Sequence, residues 1–206
     1  MTAYSLLGYL FACMALTIAP GPDNIFVITQ GLARGRKAAI ITALGMCSGI
    51  TVHTTAAALG ISAIFYSSAA AFNLVKYAGA IYLLYLAWKA LRSNSSLKLS
   101  AEKSLPATAL FRRGFIMNIL NPKVALFFLA FLPQFVAPAS GRVPLQMLLL
   151  GVIFMLQAVM IFSTIGWFSG TLGRLIAAKP HSARYFDWLT AGVFALLGVR
   201  LALAER

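Results

Sequence analysis

The stretch Ala19-Pro20-Gly21-Pro22-Asp23-Asn24 interrupts an apolar run that is otherwise long enough to cross a lipid bilayer. Proline has no amide hydrogen and its ring collides with the preceding turn. Pro20 and Pro22 therefore take hydrogen-bond partners from the carbonyls of Leu16 and Ile18. Gly21 between them permits a turn. The spacing predicts a helix that stops near Ala19 and restarts at Pro22, where proline suits the first helical position and Asp23 faces the positive end of the helix dipole. Irregular backbone of this kind is tolerated at membrane depth only where it faces protein or a watery cavity. One hexapeptide thus predicts a broken membrane helix with a polar site beside the break.

The rest of the chain fits a bilayer as its solvent. Of 206 residues, 61% are hydrophobic and only 10% charged, far from the balance of a soluble domain. A helix needs about 20 apolar residues to span the hydrocarbon core, and six stretches qualify: 4–30, 38–64, 70–91, 114–137, 145–170 and 186–203. The expected fold class is an all-α integral membrane protein with six transmembrane helices, the first and fourth broken. Met1 to Ala19 contains no Lys or Arg, so the basic start of a cleavable signal is missing and the first helix reads as retained. Cys13 and Cys47 lack any Cys-x-x-Cys or histidine companion and read as packing residues, with no disulfide framework or metal site implied.

The net charge of +13 sits in short clusters between apolar stretches, not on one polar face, so it argues against nucleic acid as a partner. The pattern instead gives a topology. Cytoplasmic loops accumulate Lys and Arg. The first loop carries Arg34, Arg36 and Lys37; Lys89, Arg92, Lys98, Lys103, Arg112 and Arg113 gather around the third; Arg174, Lys179 and Arg184 mark the fifth. The second loop has none and the fourth only Arg142. Loops one, three and five are expected in the cytoplasm and both termini in the periplasm.

The connection 92–113, with Ser93-Asn94-Ser95-Ser96 and Pro106, divides the chain into a first repeat, 1–91, and a second, 114–206, of three spans each. An odd number of spans inverts the second half relative to the first. Weak internal matches support such a 3+3 inverted repeat. Pro22 and Pro122 each open an apolar segment; Gly45 and Gly60 are spaced like Gly151 and Gly166; Gly79-x-x-x-Leu83-Leu84 echoes Gly192-x-x-x-Leu196-Leu197.

The second break is Asn121-Pro122-Lys123, with Asn as the helix cap and Pro at the first helical position. Lys123 follows at a positive helix end, and an unpaired ammonium at membrane depth costs about 2.5–3.5 kcal/mol. It needs an anion nearby. Asp23 stands at the corresponding place in the first break, which leads to the expectation that Asp23 and Lys123 approach one another around a polar cavity, where a solute's carboxylate or ammonium competes for either. The plainer alternative is that the prolines merely kink two helices while the charged side chains snorkel to an interface. His53, in a polar run with Ser48, Thr51, Thr54 and Thr55, is a candidate proton relay; an interhelical hydrogen bond is its more ordinary use. Gln157 divides evenly between a cavity role and structural bonding. Lys76 and Arg200 read as snorkelling side chains. The pairs Gly45/Gly49 and Gly166/Gly170 suit close helix packing within one subunit or across a dimer. Tyr82, Tyr85 and Trp88 follow helical spacing and read as packing or interface contacts.

Pro20-Gly21-Pro22-Asp23-Asn24, the basic loop 34–37, Lys76-Tyr77-Ala78-Gly79-Ala80-Ile81-Tyr82-Leu83, Asn121-Pro122-Lys123 and Phe131-Leu132-Pro133-Gln134-Phe135 together resemble the LysE/RhtB family of amino-acid exporters. The resemblance implies a bacterial inner-membrane secondary exporter of amino acids or close derivatives of the homoserine, threonine or leucine type, coupled to the proton-motive force, without a cofactor, and built as a homodimer. The resemblance places Pro20, Gly21, Pro22, Asp23 and Asn24 at the first helix break and Asn121, Pro122 and Lys123 at the second; Asp23, Asn24, Asn121 and Lys123, with His53 and Gln157 from the reading of the spans, are the candidate substrate-binding or coupling residues. Two rivals stand beside it: an exporter of another small solute, and a non-transporting membrane scaffold. No phosphate-binding glycine loop, zincin motif or nucleophile elbow occurs in the sequence, so an enzyme is not expected.

Overall fold

The structure is a computed structural model describing residues 3–19, 21–61, 69–92, 105–178 and 180–203. Pro20, the run Ser93-Asn94-Ser95-Ser96 with Lys98 and Lys103, and Lys179 lie outside the described residues. Every regular element among them is helical. We number them α1 Ala3–Ile18, α2 Pro22–Arg34, α3 Arg36–Ala56, α4 Ala69–Leu91, α5 Ala107–Ile119, α6 Pro122–Leu126, α7 Val143–Ala178 and α8 Pro180–Ala202.

The two predicted breaks are present. Leu6–Ile18 and Pro22–Arg34 meet at 53°, and Ala107–Ile119 and Pro122–Phe135 at 48°. Two unbroken helices, Arg36–Gly60 and Val143–Thr171, are long and apolar enough to cross a membrane, and counting each bent pair as one span raises the number to four. Ala191–Ala202 in α8 is a shorter apolar segment. The helix opening the second half starts at Ala107, so Arg112 and Arg113 ride on α5 instead of lying in a polar connection.

Burial explains why these helices need lipid. On α1, Tyr9, Ala12, Cys13 and Leu16 are buried while Leu7, Phe11, Met14 and Ile18 lie on an exposed stripe. On α7, Met147, Leu150, Phe154 and Ala158 face the core and Leu145, Leu149, Val152, Leu156 and Met160 face out. A helix apolar on every side is at home in a bilayer or a large core. Cys13 and Cys47 are free and buried in that core, as expected of packing residues.

Helix α3 lies at the centre, against α2, α5 and α7, and α4 pairs with α8. Small residues set the closest approaches. A Cβ on Gly45 would stand 2.1 Å from the Phe111 carbonyl oxygen, and one on Gly114 would stand 2.3 Å from that of Thr42, so α3 and α5 touch backbone to backbone. A Cβ on Gly49 would lie 2.8 Å from Asn118 Oδ1, and one on Gly166 3.3 Å from Ala39 Cβ. Three of the four glycines in the two predicted pairs are thus used inside this chain, and Gly170 faces open space. Gly35, at φ 84°, takes the left-handed turn that joins α2 to α3 beside exposed Arg36 and Lys37.

Candidate functional site

Both breaks point into one buried region. The last turn of α1 has carbonyls without a following helical amide, those of Leu16 and Ile18 because residues 20 and 22 are prolines and the others because the helix stops there. Side chains take their place. Lys123 Nζ donates to the carbonyl oxygens of Leu16 at 2.9 Å and Ala19 at 3.3 Å. Asn24 Nδ2 donates to that of Thr17 at 3.0 Å. Helix α2 restarts after Gly21, in extended conformation and with no side-chain cap.

The second break is closed more locally. Asn121 Oδ1 accepts from the Lys123 amide at 3.0 Å, capping α6 as its sequence predicts. At the end of α5 the Asn118 carbonyl accepts from the Asn121 amide at 2.9 Å, and His53 Nε2 of α3 lies 3.1 Å from the same oxygen. His53 therefore makes the interhelical contact. Its ring also stacks obliquely near Phe128, with centroids 6.0 Å apart.

All six candidate side chains are buried: Asp23, Asn24, His53, Asn121, Lys123 and Gln157. Gln157 of α7 donates to Thr17 Oγ1 at 2.9 Å and ties the broken helix to the long one. Asp23 lies within electrostatic reach of Lys123 and His53 and alongside Asn121. Asp23 and Lys123 act on each other through charge, and no ion pair joins them among the described residues: the ammonium gives its hydrogen bonds to the carbonyls at the negative end of α1. That geometry also removes the apparent mismatch of a lysine at a helix start, since its side chain reaches back to the end of a different helix.

Among the described residues, the buried side-chain atoms without a hydrogen-bond partner all belong to residues at the two breaks or bonded to them: Asp23 Oδ1, Asn24 Oδ1, Asn118 Oδ1, Asn121 Nδ2 and Gln157 Oε1. Buried polar groups are ordinarily satisfied. Four acceptors and one amide donor left open in this way fit a polar solute or water beside the breaks. No group of three or more His, Cys, Asp or Glu placed to hold a metal occurs among the described residues.

Thr17 and Asn118 belong to the site and sequence reading passed over them. Each lies within the last turn before a break, a position where a side chain or carbonyl must find a partner outside its own helix. Two π-helical turns begin four residues beyond site side chains: Ala57–Ile61 after His53, and Phe127–Phe131 after Lys123. Such turns are frequent at functional sites. Lys76 is buried, with its ammonium 4.5 Å from the Tyr77 ring, whereas Arg200 is exposed over Phe135. Tyr82, Tyr85 and Trp88 form a ladder with centroids 6.0 Å apart along α4, outside the site.

The model of the LysE type translocator family matches residues 14–205. An uncharacterised membrane protein of Vibrio cholerae serotype O1 is 30% identical over the full length of both chains. A leucine efflux protein of Enterobacter sp. is 28% identical over 94% of this chain and 93% of its own. A homoserine/homoserine lactone efflux protein of Salmonella typhimurium is 28% identical over 96% of each. No solved structure matches.

Proposed function

The chain belongs to the LysE type translocator family of multi-pass membrane proteins, and from that premise we propose that it exports amino acids or close derivatives of the leucine, homoserine or threonine type across the bacterial inner membrane, driven by the proton-motive force. The observation that carries this reading is the meeting of two broken helices around buried Asp23, Asn121, Lys123 and Gln157, with unpartnered polar atoms between them. An amino acid offers an ammonium and a carboxylate. Asp23 binds the ammonium and releases it on protonation. Lys123 draws the carboxylate, supplemented by backbone N–H groups at the uncapped start of α2.

The packing supports two inverted halves. Helix α3 contacts α7 and α4 contacts α8, which are the self-related pairs of a two-fold arrangement in which α1–α4 correspond to α5–α8. Asp23 and Lys123 are each the residue after the proline that restarts a helix. Rocking of the halves about this site supplies alternating access, with six spans, cytoplasmic basic loops and periplasmic termini. A homodimer is part of the proposal and draws no support from Gly45, Gly49 or Gly166, which pack within the chain. A scaffold would leave Asp23 without a task.

The test is efflux of a labelled amino-acid panel from proteoliposomes, with and without a pH gradient, comparing wild type with Asp23→Asn. The expected result is gradient-accelerated export of a few amino acids, lost in the variant. Export no faster than from empty liposomes, with the protein correctly inserted, would overturn the reading.

A further inference from the structure

The surroundings of the Lys123 ammonium suit a cation in more than one way. Two carbonyl oxygens at the end of α1 receive its hydrogen bonds, from Leu16 at 2.9 Å and Ala19 at 3.3 Å. The Phe194 ring presents its π system with the centroid 5.8 Å from Nζ. The Asp23 carboxylate, only 2% exposed and with Oδ1 unpartnered, acts on the same ammonium through its charge. A single neutral donor would need the carbonyls alone. Helix-end carbonyls, an aromatic face and a carboxylate acting through its charge surround the ammonium, a set of groups that suits a monovalent cation.

In transporters with broken helices, unwound carbonyls and half-helix C-terminal ends coordinate the coupling ion. Here that place is filled by the chain itself, from the second half of the molecule. We propose that the carbonyl end of α1, with Asp23 and Phe194, is a monovalent-cation site whose resident occupant is the tethered Lys123 ammonium, so that the protein works without sodium and acquires a dependence on a free cation once that side chain is shortened. The transport readout rests on the exporter reading; the binding readout does not.

The experiment compares wild type with Lys123→Ala and Lys123→Gln in choline, sodium and methylammonium media. It measures efflux from proteoliposomes and, separately, the melting temperature of each purified protein. Wild type is expected to export alike in choline and sodium; methylammonium, whose free base crosses the bilayer and collapses a pH gradient, serves only the melting measurement. Lys123→Ala should export about tenfold more slowly than wild type in choline and regain several-fold in sodium, with its melting temperature rising as sodium or methylammonium is added. Lys123→Gln supplies a donor without charge; it should melt near wild type and export slowly in every medium.

If wild type exports nothing, the exporter reading fails while the melting temperatures still decide the cation site. If Lys123→Ala yields folded protein only when purified in methylammonium or sodium, the site is supported. The proposal is overturned if no cation rescues or stabilises Lys123→Ala over choline, if Lys123→Gln exports like wild type, or if wild type itself gains from sodium.

Discussion

The two helix breaks look alike in sequence and are held together by different means. At the second, the cap is local: Asn121 bonds the start of α6 with its side chain and the end of α5 with its amide. At the first, the closing groups come from farther away. Asn24 reaches back across the break to Thr17, and Lys123 crosses from the other half of the molecule to Leu16 and Ala19. Both breaks take a side chain from elsewhere, but the Asn118 carbonyl that meets His53 also has the Asn121 amide, whereas Leu16 and Ala19 rely on the Lys123 ammonium. Under the proposed rocking of two halves, the closure of the first break therefore depends more on how the halves sit.

That contrast is sharpest in stability. Lys123→Ala strips both carbonyls of charged donors, each such bond being worth about 1.5–3 kcal/mol. We expect a loss of about 3 kcal/mol in choline, measured by denaturant-induced unfolding in detergent. His53→Phe removes the corresponding outside donor at the second break, where the Asn118 carbonyl keeps the Asn121 amide and the Phe128 ring accommodates another aromatic. Its expected cost is about 1 kcal/mol or less. Equal losses in the two variants would break the distinction between a borrowed and a self-supplied closure.

Removing the local cap probes the same difference from the other side. Asn121→Ala leaves the Lys123 amide without its acceptor and should cost about 1 kcal/mol, the ordinary worth of a helix cap. Because the cap also fixes the start of the helix that carries Lys123, export should fall further than stability alone explains. A variant that loses stability yet exports at the wild-type rate would show that the cap is not needed to aim the ammonium.

Much of this was legible in the sequence, for identifiable reasons. Proline acts through covalent geometry, so the breaks at Pro20 to Pro22 and at Pro122 followed from residue identity, and Asn121 as a cap followed from its place before a proline. The length of the apolar runs left burial and snorkelling both open for Asp23 and Lys123, and it is their burial between helices that decides. What did not follow was the partner of Lys123. Opposite charges suggested Asp23, but a lysine side chain is long, and the carbonyls it reaches, that of Leu16 left bare by Pro20 and that of Ala19 at the break itself, lie on a neighbouring helix whose distance no local pattern encodes. Asn118 escaped notice for a related reason: its room exists because Gly49 of α3 lacks a side chain, a tertiary fact. The glycine pairs suited intrachain and intersubunit contacts equally, and only the close approach of α3 to α5 shows where Gly45 and Gly49 are spent.

Gly21→Ser is expected to have the smallest effect on the fold and offers a fine test of the comparison. The residue is extended, at φ −169° and ψ −176°, a conformation open to any amino acid, and a Cβ there would sit 3.4 Å from Lys123 Nζ, at ordinary contact distance. Serine is a somewhat better helix cap than glycine, by a few tenths of a kcal/mol, so it gives the first break the local closure that Asn121 gives the second. Stability should rise slightly while export slows, because the hydroxyl occupies the N–H groups at the start of α2 and crowds the ammonium. Opposite movement of the two quantities would mean that the bare start of α2 is held open for the solute. If export is unchanged or rises with stability, the missing cap has no part in transport, and the difference between the breaks reduces to the side chains that close the end of α1.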